Sequence, residues 1–146
     1  MKELDIELPE APQPGSNYIT HQQNGDLLYL AGVISFASTG ESWSGQVGKE
    51  RDLDDGYQAA RICALNALAT IRSVTGTLDA IDKFISVNGY VNAIPSYGES
   101  PSVINGASDL FVELFGESGR HARTAVSVAG LPRNATVEIQ VTVELK

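Results

Sequence analysis

Cysteine is almost missing from this chain, and so is any long apolar run. Cys63 is the only cysteine among the 146 residues, so no disulfide can form within the chain. The longest apolar stretch, Leu27 to Val33, is far shorter than the roughly 20 residues that span a bilayer. The opening Met-Lys-Glu-Leu-Asp lacks the basic and apolar segments of a secretory signal. We therefore expect a protein of the reducing cytoplasm.

Positive charge is scarce as well. Ten lysines and arginines stand against 18 aspartates and glutamates, which gives a formal net charge of −8 at pH 7. Non-specific binding to nucleic acid depends on cations that neutralise phosphates, and no window of the sequence reads as a basic patch with interleaved aromatic residues. The charge balance therefore disfavours a nucleic-acid partner.

The sequence lacks the motifs of common cofactor and metal sites. It contains no G-x-G-x-x-G, no P-loop and no G-x-S-x-G segment. The two histidines, His21 and His121, and the lone Cys63 do not have the spacing of zinc ligands. We expect neither a cofactor nor a metal, and we expect Cys63 to fill a small space in the core.

What is present predicts a single domain over residues 1–146, with an extended leader at 1–16. The Asn24-Gly25 step between two apolar runs is typical of a β-hairpin. Apolar residues at helical spacing, with Asp52 or Asp54 as a cap and Gly76 as a stop, predict the first of two helices. The predicted elements are strands at 17–23, 27–35, 81–92, 123–129 and 136–145, helices at about 52–74 and 103–115, and a loop with a short strand at 38–49.

This order of elements predicts an α+β (α/β) fold in which one mixed β-sheet carries both helices on one face. Apolar and polar residues alternate along 137–145, so one side of the last strand is buried and the other is half polar. A half-polar sheet face with small residues is suited to packing against another copy of the chain.

Two lone charges stand out near the end of the sequence. Residues 115–145 read FGESGRHARTAVSVAGLPRNATVEIQVTVEL, in which two alternating runs carry Arg123 and Glu138 on either side of a Gly-Leu-Pro turn. An arginine can clamp a carboxylate through two parallel hydrogen bonds. A carboxylate can orient a water molecule and take its proton. These residue types indicate a site for a small carboxylic acid.

The same stretch resembles the signature of the RidA/YjgF family of reactive-intermediate (enamine/imine) deaminases. HARTAVSVAGLP followed by ATVEIQV is similar to the family pattern ARS-x-V-x-V-x-x-LP-x-x-x-x-VEIE. INGASDLFVELFGESGRHAR (104–123) and IELPEAPQPGSNY (6–18) resemble the branch called endoribonuclease L-PSP or chorismate mutase-like. The resemblance implies a chorismate-mutase-like homotrimer with a site in each cleft between subunits.

The resemblance also implies a reaction and its residues. The reaction is hydrolysis of short-lived imines and enamines, such as 2-aminoacrylate, to 2-keto acids and ammonia, as in 2-iminobutanoate/2-iminopropanoate deaminases. Arg123 matches the arginine that binds the substrate carboxylate, and Glu138 matches the glutamate that positions the hydrolytic water. The remaining matched positions line or contact the substrate: Tyr18, Gly32, Thr124 and Ala125.

Three positions depart from the family pattern. Ala31 stands where a serine is usual, Ala125 where many deaminases carry cysteine, and Gln140 where the second glutamate of VEIE is usual. The missing hydroxyl at Ala31 favours an alternative, which is binding of a keto acid or similar metabolite without turnover. A second alternative is the endoribonuclease activity in the family's name. Chorismate mutase activity, suggested by fold alone, would need several cations for its dianionic substrate.

The spacing of the two charges limits how they could cooperate. If the last two strands formed a simple hairpin about residues 130–136, Arg123 and Glu138 would lie about five rungs, or about 16 Å, apart. Either the strands are not neighbours, or the site joins Arg123 of one subunit to Glu138 of another, which is the hypothesis we favour.

His121 is expected to cap the loop after Gly119 or to add a titratable group beside Arg123. Asn105 and Asp109 either brace the Arg123 strand or lie on a helix surface.

Overall fold

The computed structural model describes residues 6–38 and 41–146. The first five residues of the predicted leader, and two residues of the predicted 38–49 loop, lie outside the described residues. The elements are β1 (His21–Asn24), β2 (Leu27–Leu30), β3 (Val33–Ile34), α1 (Leu53–Thr75), β4 (Ile81–Asn92), α2 (Ser100–Phe115), β5 (Ala122–Val128) and β6 (Val137–Leu145), together with single 3-10 turns at Leu78–Ala80, Gly116–Gly119 and Pro132–Asn134.

One mixed sheet with two helices forms the fold, which confirms the predicted class. The strand order is β1-β2-β6-β4-β5, and β3 also pairs with β6. The β4–β5 pair is parallel, and the other pairs are antiparallel. Because β4 lies between β5 and β6, the last two strands do not form the simple hairpin, and the first of the two alternatives for their arrangement is the observed one.

The helices begin and end at residues with recognisable capping chemistry. The Asp52 carboxylate accepts from the Asp55 N–H at 2.8 Å, the Asp55 carboxylate accepts from the Asp52 N–H at 3.1 Å, and the helix ends at Gly76 with φ 85°. Helix α2 begins at Ser100, three residues before the predicted start. Pro101 occupies its first turn, where a missing backbone N–H costs no helical hydrogen bond.

The strands around β2 differ from the prediction. The first strand starts at His21 rather than at residue 17, and the predicted 27–35 strand is divided into β2 and β3. The partners of Tyr29 and Val33 on β6 are Thr142 and Ile139, so four steps along one strand oppose three along the other. The extra residue is a bulge at the β2–β3 connection, and it shapes the site described below.

Burial differs sharply between the two faces of the sheet. The side chains of β6 that face the helices are at most 1% exposed: Val137, Ile139, Val141 and Val143. Phe84 and Phe111 stack beside them with ring centroids 4.4 Å apart. On the other face, Tyr29 and Val126 remain 43% and 41% exposed. The described part of the leader packs its Ile6 and Leu8 against the edge of the core.

Candidate active site

An open cleft of about 880 Å³ lies beside the start of β6, with Glu138 in its wall. The described part of the leader, the β2–β3 connection and the turn before β6 form the other walls. A cleft of this size accommodates a small metabolite. The lining residues that matter for the chemistry are Tyr18, Ala31, Gly32, Phe36, Arg133 and Glu138.

Glu138 brings an unpaired carboxylate to this cleft. No hydrogen bond or ion pair of its side chain occurs among residues 6–38 and 41–146. Half-burial removes water from the group and raises the pKa of the Glu138 carboxyl above its ordinary value. A carboxylate with a raised pKa is a stronger base than a solvated one.

Gly32 fits against this carboxylate because it has no side chain. A Cβ atom on residue 32 would overlap the carboxylate oxygen of Glu138. The β2–β3 bulge sets this approach, and the Ala31 N–H fixes the bulge by donating to the Thr20 carbonyl at 2.9 Å. As the sequence indicates, Ala31 contributes no hydroxyl to the cleft that it lines.

Tyr18 lies at the mouth of the cleft and is 47% exposed. Its hydroxyl oxygen accepts a hydrogen bond from the Gly15 N–H at 3.1 Å. This bond leaves the phenolic O–H free to donate to a ligand. Tyr18, Gly32 and Glu138 are therefore the predicted site residues that one chain brings together.

Arg123 lies elsewhere, on the edge strand β5 against helix α2. Its Nη1 donates to Asn105 Oδ1 at 2.7 Å and to Ser108 Oγ at 3.2 Å, and its Nη2 donates to the Pro101 carbonyl at 3.4 Å. All of these acceptors are neutral, so the positive charge of this exposed guanidinium is not compensated by them. The bond to Asn105 corresponds to the bracing role considered for that residue, whereas Asp109 accepts from the Tyr57 hydroxyl at 2.7 Å instead.

Strand register places Arg123 and Glu138 on opposite faces of the sheet. Arg123 pairs with Val87, which pairs with Val141, and both valines are buried under the helices. Glu138 pairs with Tyr90, which is three residues along β4 from Val87. Because side chains alternate between faces, an odd offset puts the two charges on opposite sides. The two side chains do not converge within one chain.

The two residues after Arg123 also lie outside the cleft. Thr124 is exposed on the face opposite the helices and pairs with Asn88. Ala125 pairs with Gly89 on the helix-facing side and packs against the core. The predicted site residues thus form two groups on different strands, and their shared role in one site stays a prediction.

His121 is tied to the loop after α2, as one of its two interpretations predicts. Its Nδ1 lies 2.7 Å from the Gly119 carbonyl and its Nε2 lies 2.8 Å from Ser108 Oγ, so the neutral ring donates to the first and accepts from the second. Burial, assisted by the nearby Arg123 charge, lowers the pKa of His121, although the bond to Gly119 opposes the shift. Burial and the Arg123 charge therefore favour the neutral form of the His121 ring.

Cys63 is fully buried, and its thiol donates to the Val137 carbonyl at 3.4 Å. Burial first, and the charge of Glu138 second, raise the pKa of the thiol, which keeps it protonated. The described ranges contain no group of three or more His, Cys, Asp or Glu side chains placed to hold a metal ion. They also contain no helix long and apolar enough to cross a membrane.

Arg133 is a cleft residue that the sequence interpretation missed. It lies in the turn before β6, with φ 57°, and its guanidinium carbon is 4.5 Å from the centroid of the Phe36 ring. The available signal was the Pro132-Arg133-Asn134 turn five residues before Glu138, which could have suggested a cation near the start of that strand.

Comparison with known proteins agrees with the fold. The family model described as YjgF/chorismate mutase-like, putative endoribonuclease, matches residues 2–145. The chain belongs to this family.

Individual relatives match nearly the whole chain. Protein TCP17 of Trypanosoma cruzi is 40% identical over 99% of the chain and 91% of its own length. A 2-iminobutanoate/2-iminopropanoate deaminase of Dermatophagoides farinae is 29% identical over 92% of the chain and 91% of its own length. The crystal structure of Atu1372, a protein of unknown function from Agrobacterium tumefaciens, has a TM-score of 0.89 at 40% identity, covering 97% of the chain and 87% of that protein.

Proposed function

We propose that this protein hydrolyses small 2-imino or 2-enamino acids to 2-keto acids and ammonia. The observation that carries the proposal is Glu138, a half-buried carboxylate without a protein partner in the wall of an open cleft. A relative that matches nearly the whole chain is named as a 2-iminobutanoate/2-iminopropanoate deaminase. A base and a bound water are sufficient for this chemistry.

Glu138 acts on the water that attacks the imine carbon. A C–O bond forms as the carboxylate takes a proton from the water, and the π electrons of the C=N bond move to nitrogen. The nitrogen takes up that proton and then the proton of the new hydroxyl group, the C–N bond breaks, and ammonia leaves as the C=O bond forms. An enamine first becomes the imine by transfer of a proton from nitrogen to its terminal carbon. The free O–H of Tyr18 can donate to the substrate during these steps. Correct placement supplies much of the acceleration because the reacting carbon is already electrophilic.

The proposal places Arg123 in the same site through a second subunit of a homotrimer. Arg123 keeps an uncompensated charge at the sheet edge, which suits it to bind the carboxylate of a substrate. The half-polar sheet face with exposed Tyr29 and Val126 is a surface suited to packing against other copies. A cleft between subunits would then combine Glu138 of one copy with Arg123 of its neighbour.

The test is release of ammonia and pyruvate from enzymatically generated 2-aminoacrylate. Wild type is expected to accelerate release, and Arg123→Ala and Glu138→Ala are each expected to abolish the acceleration. Glu144→Gln is the matched control, because Glu144 lies on the same strand but outside the cleft, 3.8 Å from Lys83 Nζ. No acceleration by a folded, trimeric wild type would contradict the proposal.

Mixed oligomers test the contribution of two subunits. If the variants are unfolded and refolded together, some clefts receive Arg123 from one variant and Glu138 from the other. Activity should return in the mixture and not in either variant treated alone. A mixture that assembles but stays inactive would contradict a site shared between subunits.

Binding without turnover is the second candidate, favoured by Ala31. This residue lines the cleft without a hydroxyl that could hold a substrate group. A wild type that binds 2-keto acids but does not accelerate imine hydrolysis would establish this function.

The endoribonuclease activity in the family's name is disfavoured by the net charge of −8, and cleavage of RNA through phosphate contacts would fall steeply with added salt.

A further inference from the structure

The Glu138 cleft contains a cation from its own chain. Arg133 lines the cleft together with Tyr18, Gly32 and Glu138. Its guanidinium forms no ion pair with Glu138 within 4.0 Å, nor with any other described carboxylate. Two opposite charges therefore line one cleft without neutralising each other directly, and the open space between the walls can admit a ligand.

The backbone that carries Arg133 is held firmly. The Asn134 N–H donates to the Leu131 carbonyl at 3.0 Å, and the Asn134 carbonyl accepts from the Gly45 N–H at 2.8 Å. The Asn134 side chain also accepts from Asn92 Nδ2 at 3.1 Å. Arg133 and Asn134 both adopt left-handed backbone conformations, with φ 57° and 58°, which are unfavourable for residues other than glycine. The turn thus presents Arg133 from a defined position.

The Arg133 guanidinium contacts an aromatic ring but forms no hydrogen bond with the described residues. Its carbon lies over the Phe36 ring, 4.5 Å from the ring centroid. None of its N–H groups donates to an acceptor in residues 6–38 or 41–146, unlike Arg51, which donates Nε to the Ser44 carbonyl at 2.8 Å while lying over Trp43. The N–H groups of Arg133 therefore remain available to bind a carboxylate bidentately.

We propose that Arg133 binds a carboxylate group of the ligand in the Glu138 cleft. The inference rests on the proposed function in using the same cleft and in leaving the first carboxylate to the Arg123 of a neighbouring copy. The carboxylate that Arg133 binds is the second one of a dicarboxylic 2-keto or 2-imino acid. The chain that supplies Glu138 also supplies this site.

The experiment measures the dissociation constants of pyruvate and 2-oxoglutarate on the full chain by calorimetry. Arg133→Gln should weaken binding of 2-oxoglutarate by about tenfold or more and leave binding of pyruvate unchanged, because the charged hydrogen bonds to the second carboxylate are lost. Arg133→Lys should retain part of the affinity as a point charge. Lys49→Gln is the matched control for loss of one positive charge, since Lys49 is 68% exposed and outside the cleft, and its affinity should equal that of wild type.

Each outcome has a fixed meaning. Weaker binding of 2-oxoglutarate alone makes Arg133 the anchor of a second carboxylate. Equal affinities of wild type and Arg133→Gln for 2-oxoglutarate would overturn the proposal, as would an equal loss for both acids or a wild type that does not bind 2-oxoglutarate. Arg133-dependent binding by a protein that does not hydrolyse imines would leave this inference standing while refuting the proposed activity.

Discussion

Two charged regions on opposite faces of one sheet are built in contrasting ways. Arg123 donates to three acceptors of α2, which fix its guanidinium against the helix. Glu138 has no hydrogen-bond partner among the described side chains and lies against the bare backbone of Gly32. The arginine is positioned by contacts, and the glutamate is accommodated by the absence of a side chain.

This contrast teaches how the sheet separates positioning from reactivity. A guanidinium with neutral acceptors keeps its charge and has a defined direction, which suits a group that binds a ligand. A carboxylate without donors is less stabilised as an anion, which suits a group that accepts a proton. Substitutions at Glu138, Gly32 and Arg123 test the two roles separately.

The largest expected effect is that of Glu138→Gln. Loss of a general base should lower kcat for imine hydrolysis by about a hundredfold or more. Glu144→Gln should have no such effect. If Glu138→Gln turned over substrate as fast as wild type, Glu138 would have no catalytic role.

The same substitution should not destabilise the protein at pH 7. A raised pKa means that folded Glu138 holds its proton more tightly than the unfolded chain does, so stability falls as pH rises from the ordinary carboxyl pKa through the raised one. Glutamine does not ionise, so the Glu138→Gln protein does not lose stability in this way. Urea unfolding should therefore show Glu138→Gln to be at least as stable as wild type, whereas a clear decrease would indicate a structural role for the carboxylate.

The acid side of the activity profile is expected to follow Glu138. Activity should be lost as pH falls through the raised pKa of Glu138, above the value of about 4.3 for a free glutamate. The measurement is kcat/KM between pH 4 and pH 8, at constant ionic strength. An acid limb at or below the ordinary carboxyl pKa would show that burial does not tune this group in the assembled protein.

A smaller loss, about tenfold in kcat, is expected for Gly32→Ala. The new Cβ overlaps the flexible end of Glu138, so the carboxylate moves while the fold is retained. Gly98→Ala is the control, because a Cβ there meets no atom within 4 Å. An unchanged kcat in a folded Gly32→Ala protein would show that the close fit between Gly32 and Glu138 is not needed for turnover.

The smallest effect concerns the other face of the sheet. Burial is the first cause that lowers the pKa of His121, and the Arg123 charge is a smaller cause in the same direction, so Arg123→Gln should raise this pKa while burial still holds it below its ordinary value. NMR titration of the two histidine rings measures the shift, with His21 as the internal control. An unchanged His121 would mean that Arg123 points away from α2 in solution, toward a neighbouring copy or a ligand.

Local patterns predicted much of the fold, and long-range contacts account for the rest. The bounds of β4, 81–92, and the Asp52 and Gly76 caps agree with the prediction because each depends on near neighbours in sequence. The bulge at Gly32 was missed because residues 27–35 read as one continuous apolar strand. The insertion of β4 between β5 and β6 was one of two alternatives left open by the sequence, because the pairing depends on the α2 crossover rather than on sequence order.

The site was predictable to a similar extent. Glu138, Gly32 and Tyr18 were identified through their motif and do share a cleft. Arg133 was not identified, because only the three-dimensional turn before β6 brings it beside Phe36. The separation of Arg123 from this cleft follows from strand register, which the alternating pattern of each strand does not determine.

The position of β6 has a consequence for how the protein is made. This strand is synthesised after the other five, yet it occupies the middle of the sheet and pairs with β2, β3 and β4. Until it emerges from the ribosome, the β1–β2 pair and the β4–β5 pair have no strand that joins them into one sheet. Closure of the sheet and creation of the Glu138 cleft are therefore the same late event, and a chain that stalls before β6 can possess neither.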